Sequence, residues 1–306
     1  MKLKVRAFDP TTMRPGAVVL MIGKRGTGKS TLMRDIMYHM RHKLSFGIAM
    51  SPTEESTGDL TRYIPKSCIY AEFNGAAVDV MLEYQRRSVK KGSNPKYMYI
   101  LLDDCMYDKA VMKATNIRQL FMNGRHRKIF FMAAVQYMMD LGPDLRTQVD
   151  YVFVLRENIL SNREKLFKFF FGMFTDFKDF SKTMSKCTQG FDCMVLDNTV
   201  KSNEVSDCIF WYRANDKLPD FEMGAPGIWC LDAKYYRDKD NAKTEDDDEE
   251  STMDVNDAMR KHRHAHKVER GGGSDDEWTE PAAAAESRTT KIHAVEKRDR
   301  HGAPMR

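Results

Sequence analysis

The chain has 306 residues, 42% of them apolar, enough to bury the core of one large or two small domains without a disulfide or metal scaffold. No apolar run approaches the ~20 residues of a membrane span, and the opening Met1-Lys2-Leu3-Lys4 has no secretory apolar stretch, so the sequence predicts a soluble intracellular protein that is not itself transmembrane. The net charge of +5 hides an asymmetry: residues 241–306 carry 12 Lys and Arg against 16 Asp and Glu, which leaves +9 on residues 1–240, a basic body suited to a polyanionic partner.

Taken in chain order, Ala17 to Gly23 reads as a strand, followed by a helix from about Lys29 to His42 and short strands at Phe46–Met50 and Cys68–Phe73. A helix over Ala76–Val89 ends in the basic cluster Arg86, Arg87, Lys90 and Lys91, and the turn Gly92-Ser93-Asn94-Pro95 precedes a buried strand, Tyr97–Leu102. A helix from about Lys109 to Met122 and strands at Ile129–Val135 and Tyr151–Leu155 complete a rhythm of strands and crossovers, the mark of an α/β fold with a mainly parallel sheet. Beyond Arg156 the rhythm changes to helices through Glu164–Phe171 and Phe177–Lys186, then strand-like runs at Cys193–Leu196 and Cys208–Arg213, and Gly227-Ile228-Trp229-Cys230 closes the apolar part. Residues 161–236 thus read as an extension packed on a core of about 15–160, the two making one domain, 1–236. From 237 the composition is polar, with the acidic run Glu245–Glu250, Gly271–Gly273 and Ala282–Ala285, and residues 237–306 read as a disordered tail because so little apolar area cannot offset the entropy of ordering. Within it His262, His264 and His266 are either solvated or a metal-binding run. Six cysteines without a Cys-x-x-Cys pair read as reduced core thiols.

Gly23-Lys24-Arg25-Gly26-Thr27-Gly28-Lys29-Ser30 matches G-x-x-x-x-G-K-[ST], the Walker A pattern, with a strand before it and a helix after it. Glycines let consecutive backbone N–H groups converge on a β-phosphate, and the helix N-terminus beginning at Lys29, Ser30 and Thr31 adds favourable partial charge. Lys29 is the candidate for reaching the β- and γ-phosphates of ATP, and Ser30 for offering its hydroxyl to Mg²⁺, an ion that takes hard oxygen ligands. Tyr97–Leu102 runs into Asp103-Asp104, an apolar strand tipped by carboxylates, the shape of a Walker B element; Asp103 is the candidate magnesium ligand and Asp104 the candidate to polarise the attacking water. Gln136, at the end of the next strand, is placed to hydrogen-bond both phosphate and water and so to sense the nucleotide. Glu54 and Glu55, after the second strand, are either alternative water-activating carboxylates or a solvated loop pair. Strand-like segments between Ser30 and Asp103 suggest that another strand separates the Walker A and Walker B strands, as in hydrolysis-driven machines.

The order of these motifs, Gly-x-x-x-x-Gly-Lys-Ser, Leu-Leu-Asp-Asp, then Asn123-Gly124-Arg125-His126 leading into a strand that ends at Gln136, resembles the FtsK/HerA superfamily. Within it the chain looks most like the genome-packaging ATPases of large nucleocytoplasmic DNA viruses, of poxvirus type; the resemblance spans residues 15–160, and Asp144-Leu145-Arg146 and Val149–Phe153 are among its more specific parts. It implies a RecA-like core assembled as a homo-oligomeric ring that threads double-stranded DNA, whatever its sequence, into a capsid at the expense of ATP. It also implies capsid or virion membrane proteins as partners, and the host cytoplasm or the virion as location. In such rings an arginine from one subunit reaches a neighbour's γ-phosphate; Arg125 is the first candidate and Arg146 the second. The chain departs from many superfamily members in having Asp104 where they have Glu, which leaves the identity of the base open. Arg86, Arg87, Lys90 and Lys91 are a candidate DNA patch or simply a solvated helix end. Competing readings are another FtsK/HerA-type DNA motor for conjugation or segregation, a nucleoside kinase, which would need an arginine-rich lid not visible here, and an ATP-gated scaffold that barely hydrolyses.

Overall fold

The structure, a computed structural model, describes residues 2–105, 111, 113–136, 141–202, 204–236 and 294–298. Among them are ten strands: β1 (Lys2–Ala7), β2 (Val18–Ile22), β3 (Leu44–Met50), β4 (Ile69–Tyr70), β5 (Tyr97–Asp103), β6 (Ile129–Val135), β7 (Tyr151–Val154), β8 (Asp192–Asp197), β9 (Ile209–Arg213) and β10 (Ala294–Arg298). The helices are α1 (Lys29–Met40), α2 (Glu54–Thr61), α3 (Gly75–Lys90), α4 (Thr115–Asn123), α5 (Pro143–Arg146), α6 (Leu160–Phe170), α7 (Phe177–Cys187), α8 (Val205–Cys208) and α9 (Pro226–Tyr235). The strands form one sheet in the order β10-β1-β9-β8-β7-β2-β6-β5-β3-β4, parallel throughout except that β8 runs antiparallel to both β7 and β9. This is the α/β, mainly parallel architecture of the RecA-like P-loop fold.

Every residue of β2, β6 and β7 is buried, as a central parallel strand covered on both faces requires. The strand alternation sorts the interior into two layers. Val18, Leu20, Ile22, Ile100, Leu102, Phe131 and Val152 pack with α3, α4, α6 and α7, whereas Val19, Met21, Tyr99, Leu101, Met132 and Phe153 pack with α1 and α2. Five of the six cysteines, Cys68, Cys105, Cys187, Cys193 and Cys208, are buried free thiols, but Cys230 is exposed on α9.

Three differences from the sequence reading bear on the site. β2 and β5 are indeed separated by a strand, but the separator is β6, which follows both in the chain; β3 and β4 lie beyond β5. The run Gly227–Cys230 lies in a helix, α9, with Pro226 at its first turn, where a missing N–H costs nothing. Residues 294–298, inside the stretch read from composition as tail, form β10 and pair in parallel with β1. Composition averaged over 70 residues hides a five-residue strand. The rest of that stretch, with its three alternating histidines, lies outside the described residues.

Candidate nucleotide site

At the carboxyl edge of the sheet β2 passes into Gly23, whose amide donates to the Val135 carbonyl at 3.1 Å. A Cβ on Gly23 would stand 2.7 Å from Thr27 Oγ1 and 2.9 Å from Leu155 Cβ, so only glycine fits. Gly26 and Gly28 hold φ of +75° and +97°, the left-handed region that glycine enters without penalty. The loop closes on itself through Thr27, whose amide and hydroxyl donate to the Lys24 carbonyl at 3.3 and 2.7 Å. α1 then starts at Lys29 with no side-chain cap and no acidic residue of its own in the first turn, which leaves its N-terminal amides open to an anion.

Lys29 is buried and folded back on its own loop, its Nζ donating to the Gly23 carbonyl at 3.0 Å and to the Lys24 carbonyl at 3.5 Å, with Asp104 Oδ2 at 3.6 Å. Asp104 sits at the tip of β5 with φ of +52°, a conformation that aspartate tolerates better than most residues, and its Oδ2 accepts from Gln136 Nε2 at 3.0 Å. Asp103 is 3% exposed; burial and the adjacent Asp104 raise its pKa above the usual carboxylate range, against the opposing pull of Ser56 and Lys29. Its Oδ1 is buried with no hydrogen-bond partner. Ser30, Thr31 and Asp103 line one cavity of about 180 Å³, which Arg34, Ser56, Asp59, Tyr63 and Asn215 also face. The glycine loop, the two carboxylates, Ser30 and Gln136 are therefore brought together.

Several residues at this place escaped the sequence reading. Lys24 is bridged at 2.8 Å by Glu157, which lies just past β7 and also accepts from the Ile159 amide at 2.8 Å and Asn162 Nδ2 at 3.0 Å. Burial works to raise the Glu157 pKa, but these donors outweigh it and the net shift is downward. Arg25 extends into solvent beside Glu55 at 3.5 Å, and both side chains are more than 80% exposed, so Glu55 stands at the mouth of the loop. The residues of the α2 region that do face Asp103 in the cavity are Ser56 and Asp59. The 56-59-60-63 spacing, one stripe of a helix, was the available signal, obscured by the polar composition of the segment.

Arg125 lies at the opposite edge of the sheet. Its guanidinium bonds Asp150 Oδ1 at 2.6 Å, and Asp150 Oδ2 accepts from the Val18 amide at 2.9 Å, at the beginning of β2. The five residues of β2 put it about 16 Å from its own phosphate loop. Arg146 stacks on the Phe169 ring at 3.8 Å, and burial lowers its pKa. The end of α3 that carries Arg86, Arg87, Lys90 and Lys91 shares the edge of Arg125, because Gln85 Nε2 donates to the carbonyls of Lys96 at 2.9 Å and Lys128 at 3.2 Å. Arg86 and Arg87 both bind Glu83, each at 2.6 Å. Among the described residues no helix is long and apolar enough to cross a membrane, and no group of three or more His, Cys, Asp or Glu residues is arranged to hold a metal.

No protein-family profile matches the chain. It is 33% identical over 244 residues to the uncharacterized protein L437 of Acanthamoeba polyphaga mimivirus, a match covering 77% of this chain and 85% of that protein. It is 34% identical over 232 residues to the uncharacterized protein 088R of Invertebrate iridescent virus 3, covering 75% of this chain and 86% of that one. The uncharacterized protein 015R of Frog virus 3 is 35% identical over 219 residues, 70% of this chain and 67% of that protein. Among solved structures, the genome packaging NTPase B204 from Sulfolobus turreted icosahedral virus 2, in complex with AMPPCP, aligns at 16% identity and a TM-score of 0.48, covering 66% of this chain and all of that one. The cytoplasmic domain of EssC aligns at 16% identity and a TM-score of 0.39, over 49% of this chain and 33% of that one.

Proposed function

We propose that this chain, which belongs to the family of these large-DNA-virus proteins, is a P-loop ATPase of FtsK/HerA type that hydrolyses ATP with magnesium to drive double-stranded DNA through a homo-oligomeric ring into a capsid. The observation that carries the enzymatic half is Asp103: a carboxylate buried at the loop, with Oδ1 lacking any hydrogen-bond partner and Ser30 lining the same cavity. Burying a carboxylate oxygen without a partner costs free energy, which a cation would offset. Two hard oxygen donors, one carboxylate and one hydroxyl, fit magnesium, and the glycines of the loop fit a phosphate chain.

On this reading Ser30 and Asp103 would hold Mg²⁺, which would supply charge neutralisation for phosphoryl transfer, and the amides of residues 24–31 would take the phosphates. Lys29 exchanges the Gly23 and Lys24 carbonyls for phosphate oxygens, a short movement because its Nζ already lies over the loop. Asp104 Oδ2, then held by Gln136 alone, accepts the proton of the attacking water, and Gln136 reports through that bond whether the γ-phosphate is present. An arginine about a strand's length from its own loop can serve only a neighbour's site, which keeps Arg125 ahead of Arg146 for action in trans. Lys90, Lys91 and the arginines beside them would follow DNA phosphates, contacts that carry no sequence preference and suit a motor. Capsid or virion membrane proteins at the assembly site in the host cytoplasm would be the partners of such a ring.

The test is ATP turnover with and without duplex DNA for the wild type, Lys29→Ala and Asp103→Asn. Stimulation by DNA in the wild type and loss of turnover in both variants are the expected results. Turnover that needs a nucleoside acceptor would replace this reading by a kinase, and Mg·ATP binding without turnover by a scaffold.

A further inference from the structure

The residues above hold only the phosphate end of a nucleotide, and the carboxylates fix which way it lies. Asp103 ends β5, two strands from β2 on one side, and β8 lies two strands from β2 on the other, each about 10 Å away at the ordinary strand spacing. A triphosphate whose metal end sits at Ser30 and Asp103 therefore runs across the loop with its nucleoside directed toward β7 and β8. At that place stands Phe191.

Phe191 is the most exposed large apolar side chain among the described residues, 68% open to solvent. It sits in a tight turn closed by the Asp192 amide on the Gln189 carbonyl at 3.0 Å, with Gly190 at φ of +61°. Immediately after it Asp192, almost fully buried, pairs with Arg213 across the β8–β9 register. The ring reaches the phosphate loop: a Cβ on Gly28 would lie 3.4 Å from Phe191 Cδ1 and 3.9 Å from Leu155 Cδ2. Gly28 immediately precedes Lys29-Ser30-Thr31, so an apolar, open ring borders the last glycine of the cradle beside Leu155, at the end of β7.

Resting on the nucleotide reading above, we propose that Phe191 is the platform on which the base of the bound nucleotide stacks. A π-face pairs with any base face and prefers the larger purine ring, while offering no hydrogen-bond pattern to separate adenine from guanine. The site therefore selects purine over pyrimidine nucleotides, and selects ATP over GTP only weakly.

Equilibrium binding to the full chain tests this, with ATP, GTP, CTP and inorganic tripolyphosphate as probes. Phe191→Ala weakens ATP and GTP by about tenfold and leaves tripolyphosphate unchanged, since one stacked base contributes an effect of that order. Phe191→Trp keeps ATP affinity and adds a fluorescence signal that ATP quenches and tripolyphosphate does not. Lys29→Ala weakens all four probes. Because Phe191 is exposed, both of its variants melt as the wild type does. ATP affinity unchanged in Phe191→Ala, with no quenching in Phe191→Trp, overturns the stack and leaves the phosphate site standing; the same result with a change in oligomer size makes the ring a subunit contact instead. Failure of the wild type to bind either ATP or tripolyphosphate overturns the nucleotide reading itself.

Discussion

At the residue scale, Asp103 and Asp104 are neighbours in sequence whose second oxygens meet different partners, although each keeps its Oδ1 buried without one. Asp103 is sealed in the cavity beside Ser30; Asp104 turns back over the loop, its Oδ2 shared between Gln136 and Lys29. The φ of +52° at Asp104 makes this division of labour possible, because an extended residue there would place the second carboxylate on the far face of β5. Asn tolerates the same backbone region, so Asp104→Asn removes the charge without straining the turn. We predict that Asp104→Asn melts as the wild type and binds Mg·ATP, but turns over at least about 100-fold more slowly, the usual loss when a general base is removed. Steady-state kinetics beside a binding isotherm checks it, and a variant with full turnover would exclude Asp104 as the base.

At the element scale, the basic end of α3 is organised by Glu83, whose pKa the hydrogen bond from Arg86 pulls down to about 2, with Arg87 adding to it. A carboxylate with a folded pKa below its ordinary 4.5 contributes stability that is complete above that pH and is lost as the pH falls toward 2. We predict an NMR titration midpoint for the Glu83 carboxyl near 2, returning toward the ordinary value in Arg86→Gln. β3 and β5 meet more closely than paired strands with side chains allow. A Cβ on Gly47 would lie 2.3 Å from the ring of Tyr99, its register partner, which is itself fully buried. Gly47→Ala should therefore destabilise the protein by about 2–4 kcal/mol through overpacking, measured as a lower denaturation midpoint at constant slope. Because β5 carries Asp103 at its end, that variant should lose Mg·ATP affinity as well.

At the scale of the molecule, the sheet places the glycine loop and the two carboxylates where its parallel strands end, and Arg125 with the basic end of α3 where they begin. Arg125→Ala leaves the buried Asp150 with the Val18 amide and the weaker pull of Arg14, but without its bonded guanidinium. Half the guanidinium is exposed, so the expected cost is about 1–2 kcal/mol, below that of breaking a fully buried pair. A trans role predicts more than this loss. Rings mixing Arg125→Ala with Lys29→Ala subunits should regain turnover at interfaces where an intact loop faces an intact arginine, whereas a purely structural arginine would give no rescue.

The phosphate loop and the tip of β5 were legible in the amino-acid order because each is assembled from consecutive residues. The cradle needs neighbouring amides with glycine at fixed intervals, and the carboxylates need only follow an apolar strand. The α/β character with a mainly parallel sheet was legible for the same reason, since alternation and helical spacing are local. Strand order was not, because β2, β5, β6 and β7 are about equally apolar and any neighbour would satisfy their hydrogen bonds. That order set β6 between the Walker strands and brought Glu157 to Lys24 and Phe191 to Gly28. Contacts between residues far apart in the chain depend on which strands lie side by side, and the packing of the whole sheet decides that.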